Sequence, residues 1–300
     1  MSTWDKEYLK LCKKILRDGV EVENRTGINS IKIPSYHFEL DVEKEYPILT
    51  SKQVFIRQAV LEMLWIYQAG SNDVRWLKDR NVHIWDEWEI NEEGKWKATQ
   101  MLPDENGKLK KQEIVKDFGK DFAHTIGTAY GFIIKKFGLI DKLIDTLKNN
   151  PTDRRMIISL WQDDYLKTAV LPSCVWSSEW DVTNGHLNLW VHQRSCDVPL
   201  GLPFNVTQYA TLLMMISQVT GLLPGTLNWS IKDAHIYVNQ IDGIKEQIKR
   251  NEELGDLEAP QIWINPEIKD FYKFNNDTDC KDVKVLNYKH HGKINFPIAQ

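Results

Sequence analysis

Two cysteine-containing segments hold the residue types best suited to covalent chemistry. The first is Leu-Pro-Ser-Cys at 171–174, in which Cys174 follows a proline and precedes a strand-like stretch. The second is Gln-Arg-Ser-Cys-Asp at 193–197, at the end of a predicted strand. A cation such as Arg194 beside the Cys174 thiol would favour the thiolate, which is a good nucleophile. From these segments alone, a buried structural cysteine and an exposed salt bridge remain alternatives.

Two arginine-containing sites could bind a phosphate. Arg194 could contact a phosphate as well as the thiolate, with Ser195 as a further donor. Arg154 and Arg155 form a paired-arginine turn before a strand-like stretch, which indicates either a phosphate clamp or solvated charge.

Four further residues have a polar group in an informative setting. Asn205 lies where a helix is introduced, so it is either a cap or a reader of an amide-like ring edge, because it offers a donor and an acceptor. His235 and Tyr237 share one face if their segment is a strand, and they form either a sugar-hydroxyl site or a core pair. Glu62 lies among apolar residues, where it is either desolvated, with a raised pKa suited to proton transfer, or solvent-facing.

The composition narrows the class of protein. Of the 300 residues, 42% are hydrophobic and 27% charged, which is ordinary for a globular protein. The net charge of −4 argues against a generic polyanion binder, and hence against nucleic acid as the main partner. Four cysteines without a CxxC pair argue against a disulfide framework and against a zinc site. Because no targeting or membrane segment is visible, we predict a reduced, cytoplasmic protein.

Apolar periodicity predicts the elements that must position these groups. Helices are expected over 6–16, 55–69, 140–149 and 206–220, and strands over 31–40, 156–161 and 187–194. Residues 91–120 are rich in Lys, Glu, Asp and Gly and indicate a surface insertion, a type of segment that can also serve as a lid. Because strands and helices mix without regular βαβ alternation, we predict an α+β fold with one domain over residues 1–300.

A series of motifs, in this order and spacing, resembles the thymidylate synthase family from about Lys6 to the end of the chain. The motifs are Asn-Arg-Thr-Gly at 24–27, Leu-Glu-Met-Leu-Trp at 61–65, Ile-Trp-Asp-Glu-Trp at 84–88, Asp-Arg-Arg at 153–155, the two cysteine segments above, Gly-Leu-Pro-Phe-Asn at 201–205 and Asp-Ala-His-Ile-Tyr at 233–237. The stretch from Cys174 to Tyr237 is the most specific part.

This resemblance implies an architecture and a reaction. The implied fold is a single α+β domain with a large twisted mixed sheet packed against helices, and it dimerises sheet to sheet. The implied reaction is the reductive methylation of dUMP to dTMP, in which 5,10-methylenetetrahydrofolate supplies carbon and hydride and leaves as dihydrofolate. A thiolate adds to C6 of the pyrimidine, and C5 then attacks the one-carbon unit. No metal is required, because the folate supplies both groups.

The resemblance also implies a role for each matching residue. The implied catalytic residues are Cys174 as nucleophile, Glu62 for proton transfer, Tyr130 as an aid to C5 deprotonation, Arg194, Asn205 and Asp197. The implied dUMP ligands are Arg25, Arg194 and Ser195 for the phosphate, Arg154 and Arg155 given across the dimer, Asn205 for the uracil edge, His235 and Tyr237 for the 3′ hydroxyl, and Asp197. The implied folate ligands are Lys52 for the glutamate tail, Trp85, Asp197, Gly201 and Phe204.

Three residues depart from the family pattern. Val175 follows the nucleophile where many members have histidine, and Lys232 stands where glycine is usual. Gln300 stands where members usually end in an apolar residue, whose carboxylate helps to close the site. Residues 88–130 also form a longer segment than in compact members, which fits the predicted insertion.

Two alternatives to the synthase remain. Pyrimidine hydroxymethylases share the fold, but in them water quenches the intermediate. Those acting on dCMP carry aspartate where Asn205 stands, so a dUMP hydroxymethylase is the main rival. Trp85, which would shield the intermediate from water, favours the synthase. A non-catalytic nucleotide- or RNA-binding relative is disfavoured by the net charge and by the retention of Cys174 and Glu62.

Overall fold

The amino-terminal helix shows how local sequence sets the elements. The Ser2 hydroxyl accepts a hydrogen bond from the Asp5 backbone N (2.9 Å), which caps the first turn. One face of the helix is apolar, and Trp4 and Tyr8 on that face are fully buried against the sheet. The helix is thus fixed by a cap at its start and by burial along its length.

The structure is a computed structural model that describes residues 2–106 and 108–299. Its helices are α1 (Thr3–Asp18), α2 (Ile56–Tyr67), α3 (Arg75–Lys78), α4 (Gly131–Phe137), α5 (Leu139–Asn149), α6 (Asp163–Leu166), α7 (Gly201–Thr220) and α8 (Ile241–Leu254). Its strands are β1 (Val20–Val22), β2 (Ser30–Asp41), β3 (Lys95–Pro103), β4 (Leu109–Asp117), β5 (Ile157–Ser159), β6 (Val175–Thr183), β7 (His186–Gln193), β8 (Cys196–Asp197), β9 (Leu223–Tyr237), β10 (Gln261–Ile264) and β11 (Val283–Leu286).

These elements confirm the α+β class and each predicted helix and strand, with shifted ends. The strand expected over 156–161 is shorter and corresponds to β5. The helix expected from residue 206 begins earlier, at Gly201. Pro203 is compatible with that start, because first-turn N–H groups have no partner within the helix and a missing one costs little.

The main sheet is mixed, and its topology gathers the predicted site at one edge. The described residues form seven strands in the order β1-β2-β9-β7-β6-β5, with β8 beside β9. Strand β7 runs parallel to β9, with α7 as the crossover, and antiparallel to β6. The start of β6 therefore lies beside the ends of β7 and β9, and the start of β2 pairs with the end of β9. Cys174, Arg194, His235 and Tyr237 thus lie near one another.

The two faces of this sheet differ. The inner face carries Leu189 and Trp229, which are fully buried in a core shared with the long helices. The outer face carries Trp176 and Trp190, whose exposed fractions are 38% and 44%. The His192 ring stacks on Trp190, with ring centroids 5.8 Å apart. An outer face this aromatic is unusual for a surface that stays in water.

Residues 91–120 contain the β3–β4 hairpin, which packs against the body of the protein. Trp96 is buried, and its indole N donates to the Glu87 carbonyl (3.0 Å). The backbone N of Met101 donates to the Arg25 carbonyl (2.9 Å). The segment thus supports the Arg25 loop, and its status as an insertion stays a prediction.

Among the described residues, none of the helices combines the length and apolarity needed to cross a bilayer.

Candidate active site

Two cavities meet at Cys174, at the sheet edge described above. The apolar cavity has a volume of about 290 Å³, and the predicted residues that line it are Glu62, Trp85, Tyr130, Phe204 and Asn205. The polar cavity has a volume of about 410 Å³, and the predicted residues that line it are Arg25, Arg194, His235 and Tyr237. Both cavities are lined by Cys174, Ser195, Asp197 and Gly201. One thiol therefore faces two compartments of different character.

Backbone bonds from two neighbouring elements hold Cys174 in place. Its N donates to the Tyr130 hydroxyl (2.9 Å), and its carbonyl accepts from Arg194 N (2.8 Å). Tyr130 has a backbone φ of 48°, in the left-handed region that a non-glycine residue adopts at a cost. The Arg194 side chain is tied to the same loop, since its Nε donates to the Ser173 carbonyl (3.1 Å) and its Nη2 to the Pro172 carbonyl (2.6 Å).

The same geometry sets the electrostatics of the thiol. Arg194 Nη2 lies 3.9 Å from Cys174 Sγ. Burial raises the pKa of the Cys174 thiol, while the Arg194 charge and the Tyr130 hydroxyl lower it; burial is the larger effect. The arginine thus acts in the expected direction, but the thiol is buried and not exposed, and burial has the larger effect on its pKa.

Of the two alternatives for Glu62, a desolvated carboxyl group or a solvent-facing one, the structure supports the first. The residue lies within α2 and is buried. Its carboxylate accepts hydrogen bonds from Trp85 Nε1 (2.7 Å) and from Gln208 Nε2. Burial raises the pKa of Glu62 to about 7, against the opposing effect of these two donors. A carboxyl group with that pKa exchanges its proton readily near neutral pH.

A directional chain of amides links Glu62 to the sheet. Trp229 Nε1 donates to Gln193 Oε1 (3.0 Å), and Gln193 Nε2 donates to Asn205 Oδ1 (3.2 Å). Asn205 Nδ2 donates to Gln208 Oε1 (3.2 Å), and Gln208 Nε2 then donates to Glu62. Because an indole N–H only donates, the Trp229 end of the chain fixes the orientation of every amide between it and Glu62.

This chain shows what the sequence reasoning on Asn205 missed. Asn205 lies inside α7, which begins at Gly201, so the helix-cap alternative is wrong. The sequence predicts no role for Gln208. It includes Gln193 only as part of the motif at 193–197. Gln208 lies one turn after Asn205, at a spacing that places both on the same helix face, and that spacing was the available signal.

Asp197 lies at the boundary between the cavities. Its Oδ1 accepts from Leu200 N (3.1 Å) and its Oδ2 from Gln240 Nε2 (3.0 Å). Burial raises the pKa of the Asp197 carboxyl, while the Gln240 donor and the nearby His235 lower it. A carboxyl group so placed can accept from a ligand in either cavity.

His235 and Tyr237 do share one face at the end of β9. Their ring centroids are 5.0 Å apart in an edge-to-face arrangement. His235 is buried, and its Nδ1 lies 3.1 Å from the Asp233 carbonyl, which fixes the ring orientation. Both rings line the polar cavity with Arg25, which is exposed.

Three predicted residues lie apart from the cavities. Arg154 and Arg155 are exposed beside β5, and Arg155 forms an ion pair with Asp153 (2.8 Å). Lys52 is buried and donates to the Pro199 carbonyl, and burial lowers the pKa of Lys52 to about 8. None of the three lines either cavity. The glutamate-tail role of Lys52 stays a prediction, and its placement gives it no support.

The three residues that depart from the family pattern, Val175, Lys232 and Gln300, differ in their position. Val175 is buried and lines the apolar cavity. An apolar side chain therefore forms this part of the cavity wall, at the position where many family members have histidine. Lys232 is exposed on β9 next to Asp233, which has a φ of 58°. Gln300 lies outside the described residues.

The described residues, 2–106 and 108–299, contain no group of three or more His, Cys, Asp or Glu side chains that could hold a metal ion.

Comparisons with known proteins agree with this geometry. A family model described as thymidylate synthase matches residues 6–300. A thymidylate synthase of Clostridium beijerinckii is 45% identical over 299 residues, which cover all of both chains. Thymidylate synthase 1 of Bacillus subtilis is 38% identical over 317 aligned positions, again covering both chains fully. The solved structure of the thermostable thymidylate synthase A from Bacillus subtilis superposes with a TM-score of 0.81 and 37% identity, over 99% of each chain.

Proposed function

The chain belongs to the thymidylate synthase family, and from this premise we propose how its own residues carry out the reaction. It is a methyltransferase that converts dUMP to dTMP, with 5,10-methylenetetrahydrofolate as donor of the carbon and the hydride. The relatives that match over the full chain are named as synthases, so the dUMP hydroxymethylase alternative is not favoured.

One observation carries the proposed assignment: Cys174 lies where the polar and apolar cavities meet. We assign the phosphate and deoxyribose of dUMP to the polar cavity, where Arg25, Arg194 and Ser195 offer donors. His235 and Tyr237 then hold the sugar. This placement brings the pyrimidine ring to the Cys174 thiol.

The apolar cavity fits the flat ring of the folate. Trp85 and Phe204 supply aromatic surface, and Asp197 and Gly201 supply polar groups at its boundary. When bound, the folate supplies the one-carbon unit and the hydride. The side chains around it exclude water, which protects a reactive intermediate from the addition of water that gives the product of a hydroxymethylase.

The proposed chemistry begins with addition of the Cys174 thiolate to C6 of the pyrimidine. Arg194, 3.9 Å from the sulfur, stabilises that thiolate. Asn205 binds the uracil edge, with Nδ2 donating to O4 and Oδ1 accepting from N3–H. Glu62, with a pKa of about 7, exchanges a proton with the pyrimidine ring during the reaction. Tyr130 assists removal of the C5 proton. C5, made nucleophilic by the addition, bonds to the one-carbon unit before it loses its proton. The thiolate leaves C6 when the new C5 substituent accepts the hydride, so Cys174 is regenerated.

Product analysis tests this assignment. The protein is incubated with dUMP and methylenetetrahydrofolate, and we expect dTMP by mass spectrometry together with dihydrofolate by absorbance. The Cys174→Ser variant is the matched control and should give neither product. Tetrahydrofolate together with 5-hydroxymethyl-dUMP would instead establish a hydroxymethylase.

We also propose that the enzyme works as a homodimer joined through the outer face of the sheet. The exposed Trp176 and Trp190 on that face support this arrangement, because burying aromatic surface favours association. Arg154 and Arg155 are exposed and do not line their own polar cavity, which supports a role for them at a partner's phosphate.

Complementation tests the shared site. Arg154→Ala and Cys174→Ser chains are each inactive in this proposal, but a mixed dimer contains one site with both residues intact. We therefore expect activity to recover on mixing and refolding. The control uses Arg17→Ala in place of Arg154→Ala. Because Arg17 is an exposed arginine paired with Asp18 and lies outside the proposed site, this variant should be active without mixing. Mixed dimers that form but stay inactive would refute the shared site.

The cytoplasm is the proposed location. The four cysteines are all free in the structure, and the proposed nucleophile requires a reduced thiol.

A further inference from the structure

Gln240 joins three parts of the molecule through one buried side chain. It ends the 3-10 turn Val238–Gln240, and only 1% of its surface is exposed. Its Oε1 accepts from Tyr237 N (3.1 Å), while its Nε2 donates to Asp197 Oδ2 (3.0 Å) and to the Pro297 carbonyl (3.1 Å). The oxygen and both N–H groups of the Gln240 side-chain amide are thus hydrogen-bonded in a buried position.

The segment that Gln240 contacts, residues 296–299, is held by two further contacts. The Phe296 ring lies against Gly243 of α8, where an added Cβ would be 2.6 Å from Phe296 Cε1. Lys52 Nζ lies 4.5 Å from the centroid of the same ring. Gln240, Gly243 and Lys52 therefore form a seat for the segment.

The seated segment reaches the reaction site. Ile298 follows Pro297 and lines both cavities, and Ala299 lines the polar cavity. Asp197 also lines both cavities and shares the Gln240 amide with Pro297. A movement of the segment and a rotation of the Asp197 carboxyl group are thus linked by hydrogen bonds from a single nitrogen.

We propose that Gln240 is a positioning residue that couples residues 296–299 to the Asp197 carboxylate. This inference rests on the proposed function, since it takes Asp197 and the two cavities as the place of reaction. An apolar side chain at position 240 would leave Asp197 Oδ2, the Pro297 carbonyl and Tyr237 N without their partner. Buried groups left unpaired in this way are costly, above all a charged one.

Hydrogen exchange measured by mass spectrometry in the ligand-free protein tests the seat. In Gln240→Leu we expect the peptide containing residues 294–299 to exchange about tenfold faster, because one direct hydrogen bond to the segment is lost. The matched control is Gln247→Leu: Gln247 is also fully buried on α8, but its Nε2 donates to Ser51 Oγ. The control should leave that peptide unchanged.

A second variant keeps the proposal testable if Gln240→Leu fails to fold. Gln240→Glu keeps the volume and can accept from Tyr237 N, but its other oxygen carries at most one O–H and cannot donate to both Asp197 and the Pro297 carbonyl. We expect it to loosen the segment at least as much. Unchanged exchange in the folded Gln240→Glu protein would overturn the proposal.

Kinetics test the coupling itself. In Gln240→Leu we expect kcat to fall about tenfold, while the Kd for dUMP alone changes less than about threefold, because its phosphate ligands are untouched. Phe296→Ala should reduce kcat too, and the double variant should lose less than the product of the two losses. Multiplicative losses would show two independent effects and would overturn the coupling.

The Asp197→Ala variant separates this proposal from the proposed function. If Asp197→Ala retains kcat, the role given to Asp197 fails, whatever the exchange experiment shows. If Asp197→Ala is inactive but the exchange of residues 294–299 does not respond to either Gln240 variant, the coupling fails and the active site stands.

Discussion

The two cavities that meet at Cys174 hold their charged groups in opposite ways. In the apolar cavity Glu62 is buried, each of its oxygens accepts one hydrogen bond, and burial raises its pKa to about 7. In the polar cavity Arg25 is exposed, so its charge stays hydrated until a ligand arrives. A group that captures an anion works best with a field that extends into solvent, whereas a carboxyl group reaches a pKa near neutral when it is withdrawn from water.

The residues shared by both cavities combine these properties. Cys174 has a pKa raised by burial and opposed by Arg194, and Asp197 has a pKa raised by burial and opposed by Gln240. Binding in one cavity therefore changes the charge environment of groups that act in the other. Substitutions on each side of this boundary should give different kinetic signatures, and these signatures test the comparison.

The largest effect is expected at the boundary. Cys174→Ser replaces a soft thiolate with a hydroxyl that hardly ionises, so kcat should fall on the order of a thousandfold or more. The polar cavity stays intact, so the Kd for dUMP, measured by calorimetry, should change little. A wild-type rate would refute the nucleophile, and a lost dUMP site would show that the two cavities are not separable.

Glu62→Gln should give the second-largest effect, confined to the apolar cavity. A neutral amide cannot exchange a proton, so kcat should fall roughly a hundredfold or more, with little change in dUMP binding. The pH dependence of kcat should also lose its inflection near pH 7. If that inflection persists in the variant, another group is the titrating one.

The same substitution has a stability consequence with a definite sign. The pKa of Glu62 rises from an ordinary 4.5 to about 7 on folding, so the folded state binds the extra proton. Unfolding free energy should therefore fall as pH rises from about 4.5 to 7, by up to about 3 kcal/mol. Glu62→Gln should remove this part of the slope in denaturant titrations. An unchanged slope would contradict the buried carboxyl group.

Sequence reasoning named residues that line each cavity, but not the balance of burial and charge at the thiol between them. Arg25, Arg194, His235 and Tyr237 belong to short motifs, and the strand pattern predicted the shared face of His235 and Tyr237. Nothing local revealed that burial would outweigh Arg194 at the thiol. That balance depends on how α2, α4 and β6 pack around one point, and packing is set by residues distant in the chain.

The amide chain shows the same limit. Glu62 and Asn205 were found by motif, but the hydrogen bonds that join them run through Gln208, 146 residues from Glu62 in sequence. A glutamine on a helix gives no sign of its partner. The fold class and the helices and strands that were predicted, by contrast, follow from periodicity, which is a local property; α8 and the β3–β4 hairpin were not predicted.

Asn205→Asp should have an intermediate effect, on selectivity. Cytosine presents a donor where uracil presents O4, so a carboxylate at position 205 should shift preference from dUMP toward dCMP by roughly tenfold to a hundredfold. The substitution also removes the donor to Gln208 Oε1, so the rate with either substrate should fall. The ratio of kcat/KM for the two nucleotides is the measurement. An unchanged ratio would remove Asn205 from base recognition.

The smallest effect should come from Arg25→Ala, and it sharpens the comparison most directly. Because Arg25 is exposed, its hydrogen bond to phosphate competes with water, so KM for dUMP should rise only about tenfold with kcat nearly unchanged. The increase should shrink as ionic strength rises, whereas the kcat loss of Glu62→Gln should not, since salt screens exposed charges far more than buried ones. Arg17→Ala, exposed and remote, should change neither constant. If Arg25→Ala lowered kcat independently of salt, Arg25 would act on the chemical step as well as on binding.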